Sequence, residues 1–267
     1  MAVRYASAVT PGDASTLHID VLGAGPAYTD RVDASGDAYL VRHGATALLL
    51  DLGHGSFPRL AQALEPSTLD AVAISHLHPD HFIDLVALRH YLRWEFQPAR
   101  HVRVLAPAGL GMRIDALHDQ PGFTAATLDV EDLRQGSPTV GTLTLEARRV
   151  THTRDSYAFR VARIADGGPG LVYSGDCGRA EDLDPLVRPG DTVLSEVSFG
   201  PGPVAPGAEH LDGPAVGALA RRTEAGRVLL THLQMGFDET ATIDSVRAVF
   251  HGPVDFVAPG TRFVIEG

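Results

Sequence analysis

The segment Ser75-His76-Leu77-His78-Pro79-Asp80-His81 places three imidazoles and one carboxylate within six positions. Nitrogen and carboxylate donors of this kind suit zinc, manganese or iron rather than calcium or magnesium. The run before it, Leu69 to Ser75, is apolar and reads as a buried strand. The run after it carries Phe82, Leu85, Val86, Leu88 and Leu92, a helical stripe spanning Asp80 to Trp94. The cluster therefore sits in a strand-to-helix loop, where a rigid scaffold can hold ligands open to substrate. His76 and His78 are two apart and can share one face of extended chain, whereas the adjacent Asp80 and His81 diverge. One pair can serve one cation and the other pair a second. Two cations ~3.5–4 Å apart are the usual device for in-line displacement at phosphorus.

Composition narrows the field. A chain of 267 residues with 44% hydrophobic and 21% charged content can bury a sizeable core. We expect a single domain over residues 1–267. No apolar run reaches the ~18 residues needed to cross a bilayer, and Met1 to Gly12 has neither a basic cluster nor an apolar core of a secretory leader. The single cysteine, Cys177, leaves no partner for an internal disulfide and no cysteine-rich zinc site. A cytoplasmic location is the corresponding expectation. The net charge of −11, with no basic run, makes extended nucleic acid an unfavourable partner. A small anionic substrate remains compatible, because a bound dication inverts the local field.

Strands are expected at Thr16–Leu22, Ala38–Arg42, Thr46–Leu52, Leu69–Ser75, Val102–Leu105, Thr142–Thr151, Tyr157–Arg163, Leu171–Ser174, Thr192–Ser195, Arg227–Thr231, Val254–Val257 and Arg262–Ile265. Helical patterns cover Ser56–Leu64, Asp80–Trp94, Gly109–Leu117, Asp212–Arg222 and Glu239–Phe250. This order implies a layered α/β architecture with mixed sheets. Gly200 to Gly207 reads as a loop over a site.

A two-metal site needs further ligands, and three candidates stand at strand ends. His152 follows Thr151, Asp176 follows the Leu171–Ser174 strand through Gly175, and His232 follows Arg227–Thr231. Strand ends are where α/β proteins present such residues.

The ordered set His76-x-His78-x-Asp80-His81, His152, Ser-Gly-Asp176 and Thr-His232 resembles the metallo-β-lactamase superfamily. Within it, the chain is most similar to the ribonuclease Z-like branch, which includes phosphodiesterases. The resemblance extends from Asp51-Leu-Gly-His-Gly55 to Ala258-Pro-Gly260. It implies a four-layer αββα sandwich of two mixed sheets. It also implies two divalent cations, zinc first with manganese and iron compatible. His76, His78 and His152 would hold one, Asp80, His81 and His232 the other, with Asp176 bridging. His210 aligns with a histidine that the branch uses near the leaving group, and Glu196 would support it. A homodimer is common in the branch.

Three departures bear on substrate. The branch's His-Glu-Ala-Thr segment reads Ser195-Glu-Val-Ser198, and its His-Ser-Thr reads His210-Leu-Asp212. Only about 24 residues separate His152 from Asp176, which leaves no room for the long arm of transfer-RNA-processing members. The expected activity is therefore hydrolysis of a small phosphodiester such as a cyclic nucleotide. A water made acidic by the cations would attack, Asp80 would orient it, and His210 would protonate the departing alkoxide. Alternatives on the same site are hydrolysis of a carboxylic ester, lactone, thioester or β-lactam, and a ribonuclease Z-like endonuclease. Redox members of the superfamily usually carry glutamate where His78 stands. Asp51 is read equally as a residue orienting a ligand histidine or as a turn former. His54 and the arginines Arg89 and Arg93 are read as surface, and Cys177 as a small buried residue.

Overall fold

The computed structural model describes residues 16–134 and 137–266; Met1 to Gly12 lie outside them. Two seven-stranded sheets face each other. The first is built from β1 (His18–Gly23), β2 (Ala38–His43), β3 (Thr46–Leu50), β4 (Ala71–Ala73), β5 (Val102–Ala106), β6 (Leu128–Asp132) and β14 (Arg262–Val264). Its order is β14-β1-β2-β3-β4-β5-β6. The second contains β7 (Thr139–Val140), β8 (Leu143–Val150), β9 (Ser156–Arg163), β10 (Leu171–Tyr173), β11 (Thr192–Glu196), β12 (Arg227–Thr231) and β13 (Val254–Phe256), ordered β13-β12-β11-β10-β9-β8-β7. In both sheets an antiparallel meander passes into three parallel pairings, β3 to β6 and β10 to β13. Parallel neighbours require crossovers. These are supplied by α1 (Phe57–Ala63), α2 (Pro79–Phe82), α3 (Leu85–Trp94) and α4 (Leu110–Leu117) on one side. On the other they are α5 (Gly213–Arg222) and α6 (Glu239–Arg247).

Strand alternation distributes the apolar residues among three cores. Tyr39 and Val41 of β2, with Leu48 and Leu50 of β3, face Phe159, Val161 and Tyr173 between the sheets. Their neighbours Leu40 and Leu49 point outward against Leu60, Leu85, Leu88 and Ile114 of the helices. Val172, Val193 and Val228 likewise face Val216, Leu219 and Val246 beneath α5 and α6. The layers are thus αββα, as expected. The second sheet is tied at its centre by Arg160 and Asp191, a buried two-bond pair at 2.7 and 2.9 Å. Asp191 also accepts the N–H groups of Gly170 and Arg188, so its carboxylate is fully engaged, the condition under which a buried ion pair is tolerable.

Several boundaries differ from the sequence pattern for identifiable reasons. The Asp80–Trp94 helix is two helices. Asp84 interrupts it by donating its N–H to Leu52 O and accepting the Phe57 N–H on its carboxylate. The Leu69–Ser75 strand is only β4, because Ser75 turns out of the ladder to bond Asp51. Strands β6 and β7 carry no apolar run. β6 is an edge strand whose Asp129 and Glu131 pair with His101 and Arg103 of the adjacent strand region, and an edge needs little burial to pair.

Candidate metal centre

The ends of five strands converge on one point between the sheets' rims. β4 delivers His76, His78, Asp80 and His81, β8 delivers His152, β10 delivers Asp176, β12 delivers His232, and β3 delivers Asp51. Two glycines permit the convergence. A Cβ on Gly53 would stand 1.9 Å from Asp80 O, so the Asp51 turn can approach the metal loop only without one. Gly175 adopts φ +53° and lies against Ser75, which swings Asp176 over the first sheet. Asp51 and His232 also occupy the left-handed region, at φ +56° and +57°, a conformation costly outside glycine. Asp51 N–H to Ala73 O (2.9 Å) and His232 N–H to Ala24 O (3.1 Å) help hold them there.

Asp176 is the centre of the cluster. Its carboxylate lies 3.7 Å from His76 Nε2, 3.3 Å from His81 Nε2, 3.5 Å from His152 Nε2 and 3.6 Å from His232 Nε2. His78 Nδ1 faces His152 Nε2 at 3.2 Å. One donor set within 4.8 Å is therefore His76, His78, His152 and Asp176, and a second is Asp37, His81, Asp176 and His232. Asp176 belongs to both, as a bridge must.

Asp80 and Asp37 both approach the second set, and ring geometry separates them. Asp80 lies 3.6 Å from His81 Nε2 and 3.8 Å from His232 Nε2, on the side facing Asp176. Asp37 lies 3.4 Å from His232 Nδ1, behind the ring. Asp51 likewise sits behind His81, 2.8 Å from Nδ1. The structure thus brings together all seven residues expected from the sequence, and it adds Asp37, which the sequence did not reveal. Asp37 stands in a loop before β2 with no spacing that ties it to His232. Tyr173 stands between the two backing carboxylates, its hydroxyl oxygen 2.7 Å from Asp51 and 3.1 Å from Asp37, with one proton to donate to either. Asp51 also accepts from Ser75 N–H and Oγ, which resolves its role as an orienting residue.

These residues fit a pair of cations. His76 Nε2, His81 Nε2 and Asp176 Oδ1 are buried and make no hydrogen bond among the described residues. Orphaned buried polar atoms are costly, and cations accepting their lone pairs would remove that cost. All the donors are imidazole nitrogens or carboxylate oxygens, and the ligating histidines have their distal nitrogens braced: His81 by Asp51, His152 by Glu209 O and His76 by Ser75. Substituting Asp51 by alanine should lower metal affinity tenfold to a hundredfold, read by chelator competition, with the fold retained by circular dichroism.

Electrostatics agree. Burial would push His232 down, but Asp176 and Asp37 override it and raise it to about 10. Burial also opposes a proton on His81, yet Asp176 and Asp51 hold it well above the usual range. His76 has burial and a neighbouring His81 against it and is held low. Against the effect of burial, His232 and His81 keep Asp176 well below the ordinary carboxylate range. At neutral pH the metal-free chain therefore carries protons that a cation must displace. Metal affinity should rise with pH, about tenfold per pH unit for each proton displaced, until His232 deprotonates. Calorimetry in buffers of different ionisation heat should show net proton release; its absence would rule out a protonated His232 in the metal-free chain.

His210 stands beside the cluster, its ring 4.7 Å from that of His152. Its Nδ1 lies 2.9 Å from Glu196 Oε1. Glu196 is wholly buried and also accepts from Cys177 N–H, Ser198 N–H and Ser198 Oγ. Burial lowers the His210 pKa, but Glu196 outweighs it and the net shift is upward. Cys177 points away, its thiol donating to Arg179 O within the outer core, and burial pushes that thiol up. His54 lies against Gly36, outside the cluster. Arg89, expected at the surface, is buried instead: Nε donates to Phe123 O, and the guanidinium covers the Phe123 ring at 3.7 Å.

The profile of the beta-lactamase superfamily domain matches residues 42–233. The chain belongs to the metallo-β-lactamase superfamily and is a metal-dependent hydrolase of that class. It is 31% identical over 262 residues to a protein of Mycobacterium leprae, covering 96% of this chain and 91% of that one. It is 27% identical over 230 residues to the probable metallo-hydrolase YhfI of Bacillus subtilis, covering 86% and 91%. The crystal structure of YhfI superposes with a TM-score of 0.82 at 22% identity, covering 94% and 99%. Human short-form tRNase Z gives 0.70 at 18% identity over 93% and 99%. A diphosphatase of the PhnP family gives 0.69 at 14% identity over 92% and 97%. These structures share the fold with this chain.

Proposed function

We propose that the chain is a phosphodiesterase acting on a small anionic phosphodiester. The observation that carries this reading is the His210–Glu196 pair beside the metal cluster. An alkoxide leaving phosphorus needs a proton, which an imidazolium braced by Glu196 can supply, whereas a thiolate leaving a thioester needs none. Two cations held by His76, His78, His152, Asp80, His81, His232 and Asp176 would neutralise phosphate charge and acidify water. Asp80, which lines the cavity, would accept a hydrogen bond from the attacking water and orient it. Glu196 engages His210 Nδ1, favours the imidazolium, and leaves the Nε2 proton for the departing oxygen.

Substrate size follows from the rim. β9, β10 and the turn between them occupy the chain from His152 to Asp176, and the cavity over the cluster holds about 230 Å3. Both support a small substrate over a folded RNA. The likeness to proteins named as a tRNase and a diphosphatase is consistent with chemistry at phosphorus. A panel tests the reading. The metal-loaded protein should hydrolyse bis-p-nitrophenyl phosphate and cyclic nucleotides with higher kcat/KM than lactones, thioesters or β-lactams. Preference for a carbonyl substrate would replace this reading with its alternative.

A further inference from the structure

We propose that Tyr28 is the platform on which an aromatic group of the substrate, a nucleobase in the simplest case, stacks beside the reacting phosphate. The inference deepens the phosphodiesterase reading and rests on it for where the phosphate lies.

Tyr28 is 67% exposed, while Tyr39, Tyr173, Phe123 and Phe159 are fully buried. A lone exposed aromatic is ordinary; its position is what distinguishes this one. Tyr28 lines the same cavity as His78, Asp80, Asp176, His210 and His232. Among the described residues its ring and hydroxyl have no partner of their own. The loop that bears it is nonetheless fixed. Gly25 bridges to Gly36, and Ala24 O accepts the N–H of His232 itself. Arg31 Nη1 donates to Leu233 O at 2.7 Å, and Nη2 reaches Phe237 O. The loop is therefore tied beside His232, while the Tyr28 side chain itself stays 67% exposed.

The rest of the mouth suits a flat ring. Pro26, Ala27 and Pro79 supply apolar walls, and Gln234 supplies one amide with both donor and acceptor capacity. A cavity of about 230 Å3 lies below the usual 300–1,000 Å3 of enclosing ligand pockets. A phosphate at the cluster would leave the rest of a nucleotide directed towards the open mouth. The base would then rest at the mouth, where Tyr28 stands. Stacking on an aromatic side chain tolerates any base and adds measurable affinity.

The test is calorimetric binding of AMP, ribose 5-phosphate and inorganic phosphate to the zinc-loaded protein, its Tyr28→Ala variant and its Tyr28→Phe variant. AMP should bind the wild type about tenfold more tightly than ribose 5-phosphate does. That advantage should vanish in Tyr28→Ala and persist in Tyr28→Phe, with inorganic phosphate binding all three alike. Equal affinities in the wild type, no binding of either sugar phosphate, or an AMP preference that survives Tyr28→Ala would overturn the proposal. Absence of phosphodiester turnover with this binding pattern intact overturns the phosphodiesterase reading and supports the platform. Turnover of phosphodiesters without the pattern does the reverse.

Discussion

Replacing Asp176 by alanine should lower phosphodiester turnover by about 10³-fold or more, since polarisation by bound metal contributes several kcal/mol. Metal content should fall from two ions per chain towards one or none. The physical reason is geometric. Among the described residues, Asp176 alone lies within 4 Å of His76, His81, His152, His210 and His232 together. It is also the only carboxylate there common to both donor sets. The metal-free variant should also be less stable, because the protons that Asp176 supports on buried His81 and His232 lose their counter-charge. Asp176→Asn separates the effects: it keeps the shape of the side chain and loses the anion. Elemental analysis and steady-state rates on both variants check the prediction. Two ions retained with wild-type turnover would dismiss Asp176 as the bridge.

Replacing His210 by alanine should lower kcat on a cyclic nucleotide by about 10²- to 10⁴-fold, the usual contribution of a positioned general acid. Metal content should not change, because His210 belongs to neither the His76–His78–His152 set nor the His81–His232 set, and its Nδ1 is engaged by Glu196; its own grouping is with Glu196 and the bridging Asp176. The loss should be small on bis-p-nitrophenyl phosphate, whose phenolate departs without a proton. That contrast is the diagnostic: a merely structural role would slow both substrates alike. The pH dependence adds a sign. Glu196 raises the His210 pKa against the pull of burial, so the acid form is complete below the ordinary histidine value. It persists above that value and is lost as pH rises through the raised one. Glu196→Gln should therefore move the alkaline limb of the cyclic-nucleotide profile to lower pH. A limb that stays in place would detach His210 from proton transfer.

How much of this could be read from the chain depends on how locally each feature is encoded. The cluster from His76 to His81 announces itself, because four ligating side chains rarely fall within six positions except around a cation. His152, Asp176 and His232 become readable only as strand ends ordered after that cluster. The sandwich follows from the same order, since strands β2, β3, β10 and β12 are continuous apolar runs of the type that two-sided burial requires. What stayed hidden is long-range or lacks an apolar signature. Asp37 is matched to His232 by tertiary folding alone. β6 gives no strand signal because its exposed residues are Asp129, Glu131 and Asp132. Asp84 breaks a helix through bonds to Leu52 and Phe57 that no helical pattern contains. Arg89 looks solvated by composition, yet Phe123, 34 residues onward, supplies both a carbonyl and a ring. Tyr28 has no motif; only the closure of its loop on Leu233 gives it a place.

The carboxylates of the site divide the labour. Asp51 and Asp37 stand behind histidine rings, Asp176 stands between the two sets, Asp80 faces the cavity, and Glu196 serves His210. Under the proposed function this division would let one buried cleft hold two dications, a water and a general acid together. The net charge of the chain disfavours extended nucleic acid but does not oppose a small anionic substrate under this scheme, because the local field is set by the cations once bound.

Phosphodiester cleavage under this scheme requires both donor sets to be filled. Titrating zinc into the metal-free protein, while following bound metal and cyclic-nucleotide hydrolysis together, measures that requirement without any substitution. The expected result is that turnover stays low through the first equivalent and appears as the second binds. Full turnover at one equivalent, or none at two, would contradict it.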